Sequence, residues 1–128
     1  MNEAQANSLY ARVYMLTEQG RFDQANVLLA LISMYRPDEP KFLLASAICF
    51  RKTGCYEEAV QKFAKVMELA PDDDGPAFQM IECMGLMGRQ DDAVDLLKSM
   101  AAVARRDGKT ETLERATALL ELRQVAVQ

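Results

Sequence analysis

The chain has 128 residues, enough for one domain with a real core, and half of them are hydrophobic. Its net charge is −4, and its longest basic features are the pairs Arg51-Lys52 and Arg105-Arg106, which argues against a nucleic-acid partner. There is no histidine, and Cys49, Cys55 and Cys83 lack C-x-x-C spacing, which argues against a metal site, a disulfide frame and most acid–base catalysis.

The apolar spacing is helical throughout and predicts an all-α chain of seven helices. The first runs over about 3–18 and ends at Gly20, which can take the left-handed conformation that stops a helix. The second covers about 23–35 and is closed by Pro37. Pro40 starts the third, about 40–53, where a missing N–H costs nothing, and Gly54 ends it. The fourth, about 57–69, is closed by Pro71. Asp72-Asp73-Asp74-Gly75 forms a loop, and Pro76 opens the fifth helix, about 76–87, which Gly88 ends. The sixth runs over about 91–105 and is broken by Asp107-Gly108-Lys109. Thr110 is the expected N-cap of the last, about 111–124.

Gly20, Gly54 and Gly88 are 34 residues apart, and each opens the same phrase: Gly20-Arg-Phe-Asp-Gln-Ala25, Gly54-Cys-Tyr-Glu-Glu-Ala59, Gly88-Arg-Gln-Asp-Asp-Ala93. A period of 34 with small residues at fixed offsets resembles a tetratricopeptide array. The resemblance implies one domain over 1–128: repeats at 6–39, 40–73 and 74–107, then a capping helix at about 110–126. Ala25, Ala59 and Ala93 are expected where two helices cross closely, so that a larger side chain would overpack them by about 1–3 kcal/mol. Leu29, Phe63 and Leu97 follow four residues later and fill the space between helices. Leu113, Ala116 and Leu120 make the apolar stripe of the capping helix. Arg12 stands where the next repeats have Ser46 and Met80; a charge is tolerable there if nothing packs in front of the first helix, or if a partner does.

In tetratricopeptide arrays the first helix of each pair lines a concave surface. The resemblance therefore puts Asn7, Tyr10, Tyr14, Thr17 and Glu18 on that surface from repeat one, Lys41, Leu44, Ile48, Arg51 and Lys52 from repeat two, and Gly75, Phe78, Glu82, Gly85 and Leu86 from repeat three. Tyr10, Tyr14, Leu44, Ile48, Phe78, Glu82 and Leu86 are the expected peptide-binding groove. Its content is mostly apolar, and an apolar patch in a concavity suggests a binding site. The competing reading is that Tyr10, Ile48 and Phe78 pack between helices. The Lys and Asn of a carboxylate clamp are absent from the positions that would hold them, which speaks against acidic C-terminal tails as ligands.

The segment Phe42-Leu-Leu-Ala-Ser-Ala-Ile-Cys49, then Gly54-x-Tyr56-x-x-Ala59, then Glu82-Cys83 resembles the class II chaperones of type III secretion translocators, the LcrH/SycD type. Tyr56 to Cys83 spans the family's 28 positions, although Ala45 and Ser46 replace its Gly-Leu pair. The resemblance covers roughly 6–124 and implies a bacterial cytoplasmic protein that holds a hydrophobic translocator before export, with an extended client segment along the groove. An acidic chaperone suits an aggregation-prone client. Family members usually carry a longer N-terminal segment, often tied to dimer formation, while this chain begins almost at its first repeat, which speaks against that mode of pairing; a homodimer is the second partner the resemblance allows.

Other motifs carry less. Gly108-Lys109-Thr110 has Val103 where a P-loop needs glycine, and no strand precedes it. Asp72-Asp73-Asp74-Gly75 lacks the spacing of an EF-hand loop. Cys49 and Cys83 read as small buried packing residues. No nucleophile–base pair stands out, so no catalytic residue, cofactor or enzymatic activity is expected. No apolar run approaches the length of a membrane span, and the start lacks the layout of a signal peptide. The competing functions are a scaffold or regulatory adaptor using the convex face or end helices, and a chaperone for a needle-type subunit, whose client would be a helix in the same groove.

Overall fold

The computed structural model describes residues 1–127, with side chains as far as Arg123. The described residues form seven α-helices: α1 (Glu3–Glu18), α2 (Phe22–Tyr35), α3 (Pro40–Lys52), α4 (Tyr56–Leu69), α5 (Gly75–Leu86), α6 (Gln90–Asp107) and α7 (Thr110–Val127). No strand occurs among them.

The 34-residue phrase is a helix–helix joint. Gly20, Gly54 and Gly88 take φ of 74°, 81° and 76°, a left-handed conformation that costs a residue with a Cβ about 1–2 kcal/mol. Each glycine N–H donates three residues back, to Thr17, Arg51 and Gly85, at 3.0, 3.2 and 3.1 Å. The next residue donates five back: Arg21 to Leu16, Cys55 to Phe50 and Arg89 to Met84, at 2.9, 2.8 and 2.8 Å. This is the Schellman arrangement, in which two bonds fill carbonyls that the helix end leaves bare. The carbonyls of Arg21, Cys55 and Arg89 then accept from Ala25, Ala59 and Ala93, beginning the following helix. One residue thus closes one helix and opens the next, which explains the short, fixed phrase.

Other boundaries have local causes. Asn2 and Gln5 cap α1 reciprocally, with bonds of 2.9 and 2.8 Å. α5 starts at Gly75, one residue before Pro76, because Asp73 Oδ1 accepts the Gly75 N–H at 3.0 Å. α6 runs on to Asp107, and its stop is Gly108 at φ 72°. Arg105 and Arg106 lie in that last turn, where the helix dipole favours cations. The expectation that Thr110 caps α7 is corrected: the Lys109 carbonyl accepts the Leu113 N–H at 3.0 Å, so Lys109 holds the cap position and Thr110 is the first helical residue.

The chain divides into two compact units, residues 1–83 and 84–128, with the division inside α5. In the first, α1 packs on α2, α2 on α3, and α3 on α4. A cluster of Ala6, Val13, Ala25, Leu29, Ile32, Phe42 and Cys49 forms its core, with Leu9, Tyr10, Leu16 and Phe22 packed against it. Ala59, Phe63, Val66, Pro76 and Ile81 are also buried. Arg36 bonds Glu3 and Glu39, each at 2.9 Å, and so ties the start of α1 to the link between α2 and α3. In the second unit α6 packs on α7, and Ala93, Leu97, Ala101, Ala104 and Ala116 are buried. Ala25, Ala59, Ala93, Leu29, Phe63 and Leu97 are all 0 % exposed, as their place in the period requires.

Candidate peptide-binding groove

Helical spacing puts three short strips on the first unit. Tyr10 and Tyr14 lie four apart on α1, Leu44, Ile48 and Arg51 follow at four and three on α3, and Phe78 and Glu82 lie four apart on α5. Two contacts tie the strips together. Lys41 Nζ, one turn before Leu44, sits 4.7 Å from the Tyr10 ring centroid, a cation–π distance that joins α3 to α1. Arg51 Nη1 lies 3.7 Å from Glu82 Oε1 and joins α3 to α5. Along α3, Leu44 and Ile48 therefore fall between two anchored cations, and both are half-buried.

The expected groove residues divide by exposure. Tyr14 is 63 % exposed, and the Glu82 side chain 59 %. Tyr10 is half-buried; its ring lies 5.3 Å from that of Phe42, tilted by 53°, and burial pushes its phenol pKa up. It serves the core and the strip at once. Phe78 is a correction: at 7 % exposure it belongs to the interior. Its helix is apolar on most sides, with Pro76, Ala77, Met80 and Ile81 also buried, so the aromatic ring turns inward and Glu82 stays out. Leu86 lies in the second unit at the end of α5 and is 59 % exposed.

The arrangement can hold apolar side chains and donate hydrogen bonds. Burial pushes the Cys49 and Cys83 thiols up, keeping them neutral, while Cys55 is exposed. Among the described residues, no group of three or more His, Cys, Asp or Glu is placed to hold a metal ion. No described helix is long and apolar enough to cross a membrane.

Sequence reasoning missed a second apolar surface. On α2, Val27, Leu31 and Met34 are 69 %, 47 % and 83 % exposed, on the side away from Ala25, Leu29 and Ile32. Val27 and Met34 also line an open cleft of about 640 Å³ with Asp23, Asn26, Ala30, Ser33, Ser46, Phe50 and Lys62. At its edge Ser46 donates to Asn26 Oδ1 at 2.8 Å. The signal was available: α4 has Gln61, Lys65 and Glu68 at the same repeat positions. Arg12 on α1 is exposed.

Residues 43–77 match the tetratricopeptide-repeat family. No curated protein matches the chain. Among solved structures, PcrH in complex with the chaperone binding region of PopD superposes with a TM-score of 0.82 at 22 % identity, covering 100 % of this chain and 97 % of that one. PcrH from Pseudomonas aeruginosa gives 0.77 at 24 % identity, covering 95 % and 93 %. The type III secretion chaperone SycD from Yersinia enterocolitica, in complex with a peptide of the translocator YopD, gives 0.81 at 16 % identity, covering 99 % and 98 %. The chain has the all-α tetratricopeptide fold of these proteins.

Proposed function

We propose that this protein is a cytoplasmic chaperone that holds a hydrophobic type III secretion translocator before export. The carrying observation is the inner strip of α3. Leu44 and Ile48 are half-buried between the Lys41–Tyr10 and Arg51–Glu82 contacts, a floor for apolar side chains with cations at both ends. Tyr14, an exposed aromatic with a polar tip, extends it on α1. The reading is supported by neighbours solved with segments of PopD and YopD. A free translocator would expose membrane-seeking apolar surface, and an acidic carrier at net charge −4 keeps the pair soluble. Binding needs no chemistry, so this reading assigns no catalytic residue or cofactor.

Co-expression with the translocator encoded for the same secretion system tests the proposal. The unaltered chain is expected to keep the translocator soluble and to co-elute with it. Tyr14→Asp with Ile48→Asp should abolish the complex while helicity by circular dichroism stays intact. Survival of the complex in the double variant would remove the groove assignment.

One observation favours a second reading. The outer strip Val27, Leu31 and Met34 presents apolar surface that the inner groove does not use. Under this reading the chain is an adaptor that carries a cytosolic partner, or a second copy of itself, on α2. Binding or self-association lost on replacing these residues, with the groove unaltered, would favour it.

A further inference from the structure

The inner strip ends on a cation with too few bonds. The Arg51 side chain is 20 % exposed, its Nε is buried without a hydrogen-bond partner, and its Nη1 stands 3.7 Å from Glu82 Oε1, beyond hydrogen-bonding distance. A guanidinium carries five donors, and a desolvated donor left unfilled costs more than an ordinary hydrogen bond returns. The fold does not require this arrangement. Repeats one and three have Thr17 and Gly85 at the equivalent place. The favourable charge at the end of α3 is also supplied by the neighbouring, exposed Lys52.

We propose that Arg51 is the residue that fixes an occupant along the groove, by donating from its guanidinium to a main-chain carbonyl of an extended segment lying on Leu44 and Ile48. This rests on the reading of the inner strip as the client groove. The acceptor is a carbonyl and not a carboxylate because Glu82 already stands beside the guanidinium, and a second anion would meet that charge as well as the chain's net −4. The segment is extended and not helical because an α-helix engages its own carbonyls except in its last turn, whereas an extended chain presents them along its length. Arg51 thereby separates a translocator segment from a helical, needle-type client on the same surface. The occupant meets the part of the guanidinium that stays exposed, while the buried Nε stays unfilled in the free chain, so the residue is expected to serve binding at no gain to the free fold.

The test uses the full chain and a synthetic peptide of the translocator segment that the co-expressed complex protects from proteolysis. Titration calorimetry with Arg51→Met should give a tenfold or greater loss of affinity, in line with a hydrogen bond to a charged group. Arg51→Lys, which keeps the charge but not the fork, should lose less. The thermal midpoint of free Arg51→Met should match or exceed that of the unaltered chain. A peptide with every Asp and Glu replaced by Asn and Gln should bind the unaltered chain equally well. Affinity of Arg51→Met within twofold, a midpoint lowered by more than about 4 °C, or lost binding of the amide peptide would each overturn the proposal. If the unaltered chain binds no such peptide, the groove reading fails first, and the role of Arg51 with it.

Discussion

α2 and α4 stand at the same place in successive repeats and use their two sides differently. Facing the core, the pairs Ala25 and Ala59, Leu29 and Phe63, and Ile32 and Val66 are all at most 2 % exposed. Facing out, α4 presents Gln61, Lys65 and Glu68, while α2 presents Val27, Leu31 and Met34. The repeat constrains the inner side because helices cross there at fixed distance and tolerate little change in volume. It places no demand on the outer side, so apolar residues there are not explained by folding.

The comparison breaks most visibly at the core. Leu29→Ala and Phe63→Ala should each destabilise the chain by about 2–5 kcal/mol, since each empties a fully buried site. Denaturant unfolding would measure both, and a loss well below 2 kcal/mol at either would mean that the two inner sides are not equivalent. A smaller effect comes with pH. Burial raises the Cys49 thiol, so its contribution to stability is complete below the ordinary thiol pKa of about 8.5. That contribution is lost as pH rises through the higher folded value, because the unfolded chain ionises first. Stability should therefore fall above about pH 9, and Cys49→Ala should flatten that decline in unfolding midpoints followed against pH. The smallest effect belongs to the outer side. Exchanging Val27, Leu31 and Met34 for the Gln, Lys and Glu of α4 should change stability by no more than about 0.5 kcal/mol. A loss above about 1 kcal/mol in the same unfolding assay would mean that the chain itself covers this face.

Much of the fold was legible because the 34-residue phrase encodes a complete joint. Gly20, Gly54 and Gly88 supply the positive φ, and the alanine five residues on supplies the close crossing. Boundaries set by carbonyls were less legible. Thr110 looked like a cap by residue type, but the Lys109 carbonyl takes the first helical bond and leaves Thr110 one residue inside the helix, and a backbone group leaves no trace in the sequence. The groove was legible as positions, not as exposures. Tyr10, Ile48 and Phe78 share the inner helices, yet Phe78 is interior and Ile48 half-buried, since α5 is apolar on most sides and α3 ends in charge. The pairing of Lys41 with Tyr10 and the short-bonded state of Arg51 depend on contacts between helices, which spacing within one helix cannot give.

The most direct measurement is co-elution of the co-expressed translocator with two variants in parallel. One carries Tyr14→Asp and Ile48→Asp, and the other carries Val27→Gln, Leu31→Lys and Met34→Glu. The inner strip as client groove predicts that the first variant loses the translocator and the second retains it. Retention by the first and loss by the second would contradict the account and move the binding surface to the outer side of α2.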